Sequence, residues 1–177
     1  TENPQIARHF ICQEKGRIQG HLAMIRFYEN AWLIQHHAAR RSGTIRAGWT
    51  VLDQIGRFIN DSHNLYSIKM NFVFCYFRPE NKFPDRVFGG VAREIKDPKG
   101  CSLDLFAYFH CRKALNNELD VEEPWSLSKT EPEDLFELKN FYEYSSGGLM
   151  LKAFELEPGS EDIDRLSKKY QRLSLKR

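Results

Sequence analysis

At 177 residues the chain can bury one well-formed core with a small appendage, and it is short for two complete domains. Its 26 basic and 24 acidic residues leave a formal charge of +2, so no field spans the molecule strongly enough to imply nucleic acid or an anionic membrane as partner. With no secretory leader at Thr1 and no apolar run of ~18 residues, the expectation is a cytoplasmic protein without a membrane span.

RHFICQE, a turn at Lys15-Gly16-Arg17, IQGHLAMIRFY, a turn at Glu29-Asn30 and AWLIQHHAA predict three antiparallel strands. β-formers flank short turns, and Gly16 supplies the positive φ that a tight hairpin needs. RRSGTIRAG, Arg40 to Gly48, is a polar, glycine-bearing loop. Behind it WTVLDQIGRFIN sets Trp49, Leu52, Ile55 and Ile59 near helical spacing. SIKMNFVFCYF is apolar without interruption from Phe72 to Phe77, the pattern of a central strand covered on both faces. RPENKFP then turns at Pro79 and Pro84, with Phe83 expected as its anchor in the core. RVFGGVAREI is a short helix weakened by Gly89-Gly90, a pair that fits close approach of a cofactor or of a neighbouring element. SLDLFAYFHCRK predicts another strand, with Asp104 outward if Leu103 and Leu105 face in. Thr130 and Glu133 form a T-x-x-E capping box before DLFELKNFY, and SSGGLMLKAFELE reads as a turn into a strand. Ser160 opens a last helix whose Ile163, Leu166, Tyr170 and Leu173 share a face.

The four cysteines form no CxxC pair and only Cys111 has a histidine beside it, so free, reduced thiols and no metal are expected. The start at Thr1 and the end in Ser-Leu-Lys-Arg read as those of a piece of a longer, multidomain protein.

The element order over about Arg8 to Lys113 resembles the GNAT superfamily of N-acyltransferases: a three-strand meander, a glycine-bearing loop into a helix, an apolar strand, then an Asn-containing turn into a second helix. The resemblance implies an α/β fold with a mixed, mostly antiparallel central sheet flanked by helices, and transfer of an acyl group from acetyl-CoA or a longer acyl-CoA to an amine. Its acceptor would be a small molecule or a protein. In that family the pyrophosphate of the cofactor sits on the loop and helix start after the fourth strand, here Arg46, Ala47, Gly48 and Trp49, while the pantetheine arm follows backbone from Ile34 to Ala38. Backbone N–H groups at a helix start suit phosphate. Of the family's Q/R-x-x-G-x-G/A only Gly48 is kept, with Gly43 and Arg46 at the other key places. The family's N-x-x-A-x-x-x-Y appears as Asn81, Pro84 and Phe88; Phe carries no proton, so a proton donor would be Tyr76 or Tyr108. The general base would be His36 or His37, and strand alternation lets only one of them face the cleft.

On this reading residues 1–120 form a GNAT-like core, and 121–177 a helix-strand-helix extension that completes the fold or begins a second unit. The alternative is a non-catalytic ligand-binding or regulatory module working with other domains of the parent chain. A cleft between the fourth and fifth strands, open or plugged by side chains, distinguishes the two.

Overall fold

The computed structural model describes residues 4–40, 46–107, 123–124, 126, 128–157 and 165–172. β1 (Ala7–Glu14), β2 (Arg17–Arg26) and β3 (Ala31–Ala39) form an antiparallel meander, and β4 (Phe72–Cys75) joins β3 in parallel, in the order β1-β2-β3-β4. The result is a mixed sheet in an α/β arrangement. Lys15 and Gly16 both take positive φ, 48° and 75°, at the first hairpin. The second turn closes on Arg26, fully buried, whose Nε and Nη2 donate to the Glu29 carbonyl at 2.9 and 2.6 Å while Nη2 meets the Glu29 carboxylate at 3.1 Å. Burial pushes the Arg26 pKa down and Glu29 opposes it, which is why this cation stays charged under the sheet end.

Between β3 and β4 runs α1 (Ala47–Ser62), and its Val51 and Ile55, one helical step apart, pack on Leu22 and Met24 of β2, Trp32 and Ile34 of β3, and Met70. Each such side chain contributes about 1.5–3 kcal/mol by leaving water. Trp32 Nε1 donates to the Ile68 carbonyl at 3.1 Å, so its one polar atom is satisfied inside the core. The helix sits close because Gly20 has no side chain: a Cβ there would stand 2.8 Å from the Ala47 carbonyl oxygen.

Beyond β4, α2 (Lys82–Pro84), a π-helical turn (Asp85–Gly89) and α3 (Gly90–Ile95) make one interrupted helix. Later come α4 (Pro132–Ser146), α5 (Leu149–Ala153) and α6 (Arg165–Arg172). α5 and the residues after it lie against the sheet: Phe154 stacks on Tyr28 at 5.2 Å and meets Phe74 edge-on at 5.3 Å, and Glu155 accepts from Asn30 N at 3.0 Å.

Several expectations need correction. LMLKA, Leu149–Ala153, is helical, not a strand, because Gly147 and Gly148 both take positive φ and turn the chain straight from α4 into α5. Ser102–Ala107 forms no strand; the remainder of that predicted strand, Tyr108 included, lies outside the described residues. Leu103 and Leu105 are exposed and it is Asp104 that turns inward, its Oδ2 accepting from Ser102 Oγ at 2.7 Å. β4 stands at the end of the order of described strands rather than in the middle, and only four of its residues pair. The capping box of α4 is Glu131 with Asp134, one residue on from the predicted pair, since Pro132 takes the first helical position and fixes where the helix begins. Ser160 lies outside the described residues.

Candidate functional site

The β3–β4 ladder runs only from Ala31 opposite Phe72 to Ile34 opposite Cys75. β3 continues through Gln35–Ala39, paired with β2 alone among the described strands, while the chain after Cys75 turns away into α2. The two strands therefore part beyond Ile34.

Where they part, β3 carries a bulge. Ala23 pairs with Gln35 and His21 with Ala38, so β2 advances by two residues while β3 advances by three. His36 absorbs the extra residue with φ of +57°, a left-handed conformation that costs a non-glycine residue about 1 kcal/mol or more. Trp32 and Ile34 face α1, and regular alternation would send His36 the same way; the bulge sends His37 instead. His36 projects into solvent.

His37 reaches the start of α1. Its Nε2 lies 3.2 Å from the Gly48 carbonyl oxygen, which can only accept, so Nε2 carries the hydrogen and Nδ1 is left with a bare lone pair. Gly48 permits this approach: a Cβ there would stand 3.2 Å from the Ala39 Cβ and 3.4 Å from His37 Nε2. The His37 ring stacks on Phe83 at 5.3 Å, and Phe83 meets Trp49 edge-on at 5.6 Å. Phe83, expected in the core, instead lies across the place where the strands part, and it stays 37% exposed. Pro84, fixed in φ, holds the short α2 that carries it.

Arg46 caps α1 through its backbone, with Trp49 N and Thr50 N donating to its carbonyl at 2.9 and 3.0 Å. It does so at φ −77°, so no positive φ is asked of an arginine here. Its side chain is exposed and makes no cap hydrogen bond, and no acidic residue sits in the first turn. The electropositive end of a 16-residue helix thus lies beside the end of β3 with no acidic residue in its own first turn. Ala47 is buried beneath it and Trp49 is half exposed beside it.

The remaining predicted residues separate. Ile34 belongs to the core and its backbone makes the last β3–β4 rung; Ala38 is exposed, opposite His21. Asn81 caps α2 in extended conformation, its carbonyl accepting from Asp85 N at 3.1 Å and its exposed side chain uncommitted to the cap. Tyr76 continues the alternation of Phe72 and Phe74, on the sheet face away from α1, against Phe74 at 5.7 Å and Phe106 at 6.0 Å. Burial pushes its pKa up, with Tyr28 adding to the shift. Tyr76 and His37 are thus on opposite faces of the sheet. Phe88 packs against the core and Phe77, a structural part. Gly89 makes room for an ion pair: Arg93 Nη2 bonds Asp85 Oδ1 at 3.0 Å, and a Cβ at Gly89 would stand 2.9 Å from that oxygen. Packing, rather than a cofactor, explains that glycine.

No family model matches the chain, and no curated protein or solved structure does either. Among the described residues, no helix is long and apolar enough to cross a membrane.

Proposed function

We propose that the parting of β3 from β4 is the cofactor cleft of a GNAT-like domain and that the protein is an N-acyltransferase using an acyl-CoA. The observation that carries this reading is the conjunction at one place of a strand edge with no partner among the described strands (Gln35–Ala39), a helix start without a side-chain cap (Arg46–Gly48) and an imidazole with a bare Nδ1 (His37). The free edge offers backbone groups to an amide-bearing arm, as a strand would. The helix start offers N–H groups and a positive dipole end to a pyrophosphate, with Arg46 as an exposed cation beside it. His37 Nδ1 can take the proton that an ammonium acceptor must lose before its amine attacks the thioester carbonyl; the acyl carbon gains a C–N bond and the C–S bond breaks. The new amide nitrogen sheds its second proton to solvent and the thiolate takes one up; Tyr76, protonated at neutral pH as a tyrosine is, can give that proton and regain it from solvent if the acyl arm passes between the strands. Asn81 orders the α2 side of the mouth.

A second reading rests on Phe83. Its ring lies on His37 and against Trp49, where a ligand would have to enter, which suits a ligand-binding or regulatory module whose cleft is closed at rest. Isothermal titration with acetyl-CoA and longer acyl-CoAs tests the first reading: saturable heat supports a CoA-binding cleft, and its absence at high protein concentration removes the acyltransferase. Turnover with any amine, lost in His37→Ala, selects the enzyme; binding without turnover selects the module.

A further inference from the structure

Away from that cleft, His9 of β1 and His21 of β2 stand on the sheet face that α1 does not cover. Their register is diagonal, with His9 opposite Ala23 and Ile11 opposite His21, and Phe10, Cys12, Leu22 and Met24 between them turn to the helix side. His9 Nδ1 lies 3.0 Å from His21 Nε2. The ring centroids are 5.3 Å apart, about the sum of that distance and the two ring radii, so the imidazoles meet edge to edge, nitrogen to nitrogen, and do not stack face to face. Such a bond needs one nitrogen bearing its hydrogen and one bare lone pair, and each neutral ring supplies one of each.

We infer that His9 and His21 form a two-imidazole site for a borderline transition-metal ion of the zinc or nickel class. Metal–imidazole bonds of about 2.0–2.1 Å place two ligand nitrogens on one ion roughly 2.9 Å apart at a right angle and roughly 3.4 Å apart at the tetrahedral angle, which brackets the observed separation. To bind, each ring turns by roughly 35–45° so that both lone pairs converge on one point, and the ring that donated the hydrogen bond changes tautomer, its hydrogen moving through solvent to its other nitrogen so that both imidazoles stay neutral. The paired strands hold the two Cβ positions, so the movement stays in the side chains. His9 is exposed, and Ile11 beside it is half exposed, which leaves an approach for the ion and room for solvent to complete its coordination. The absence of CxxC spacing bears on thiolate sites and is silent about this pair, whose members lie 12 positions apart in sequence and are joined only by the hairpin register. An ion held here clips the edge strand β1 to β2.

The test uses the untagged chain with zinc chloride and with nickel chloride, by isothermal titration and by thermal melting. One ion per chain should bind, and the melting temperature should rise with metal concentration. In His9→Gln and in His21→Gln, substitutions at positions outside the core, affinity should fall at least roughly tenfold, since one of two bonds to the ion is lost, and the metal-induced rise should disappear. His63→Gln, on the loop after α1, should bind like the parent chain. The inference is overturned if the parent chain shows no saturable binding, if both β-strand variants bind unchanged, or if His63→Gln is the variant that loses the ion.

Discussion

The two halves of β3 show what one strand does when its neighbours change. From Ala31 to Ile34 it is paired on both sides, covered by α1 and at most 9% exposed. From Gln35 to Ala39 it has one strand partner among the described residues, carries a bulge, and presents polar side chains to solvent and to the start of α1. The first half is held by burial; the second is held by geometry imposed from outside, by Gly20 and Gly48, which let α1 settle on it, and by Phe83, which leans on His37. Where the pairing with β4 stops, a core strand gives way to an exposed one.

The largest loss of stability is expected in the closed half. Trp32→Ala should cost about 3–5 kcal/mol, because a fully buried ring leaves a cavity and the Ile68 carbonyl loses its donor, whereas His37→Ala should cost about 1 kcal/mol; urea unfolding of both variants reads the difference. Gly20→Val comes next, at about 1–3 kcal/mol, since its side chain must displace the Ala47 backbone and with it the start of α1; the same variant should weaken any acyl-CoA binding.

Cys75 ends the closed half, and burial, with Cys101 nearby, pushes its thiol up from 9.0 to about 11. Between those values the unfolded chain has released the proton and the folded chain still holds it. Folding stability therefore falls as pH rises from 9.0 toward about 11 by on the order of 2 kcal/mol at most. Denaturation midpoints of the parent chain and Cys75→Ala should converge or cross over that window, and a constant gap would contradict the burial of the thiol.

The smallest effect sharpens the open half. His36→Gly should be neutral or stabilising by about 0.5–1 kcal/mol, as glycine accepts a φ of +57° without strain, while His37→Gly should destabilise. Equal losses at the two positions would mean that the bulge does not set which imidazole faces α1.

What could be read from the sequence follows from the range of the interactions involved. The meander was legible because hairpin turns and strand patterns are local, and α1 because its apolar spacing is. Strand alternation predicts that His36 and His37 face opposite ways, but which of them turns to α1 depends on a bulge whose extra residue is visible only in the β2–β3 register. Phe83 looked like a core anchor because an aromatic residue beside proline usually is one; its partners, His37 and Trp49, are distant in sequence and come together only through the fold. LMLKA has strand-like composition, and the positive φ of two consecutive glycines, a backbone property, made it a helix. Asp104 misled for a similar reason, because alternation predicts facing only where a strand forms.

The proposed cofactor cleft lies where β3 parts from β4 beside a helix start that has no side-chain cap. Its most direct test is a titration of the isotopically labelled chain with acetyl-CoA, following backbone amide resonances. With the cofactor in that cleft, Gln35 to Ala39, Gly48, Trp49 and Phe83 should shift together and saturate, while the amides of Leu22 and Met24 stay in place. No saturable shift, or shifts confined to residues away from β3 and the start of α1, would contradict it.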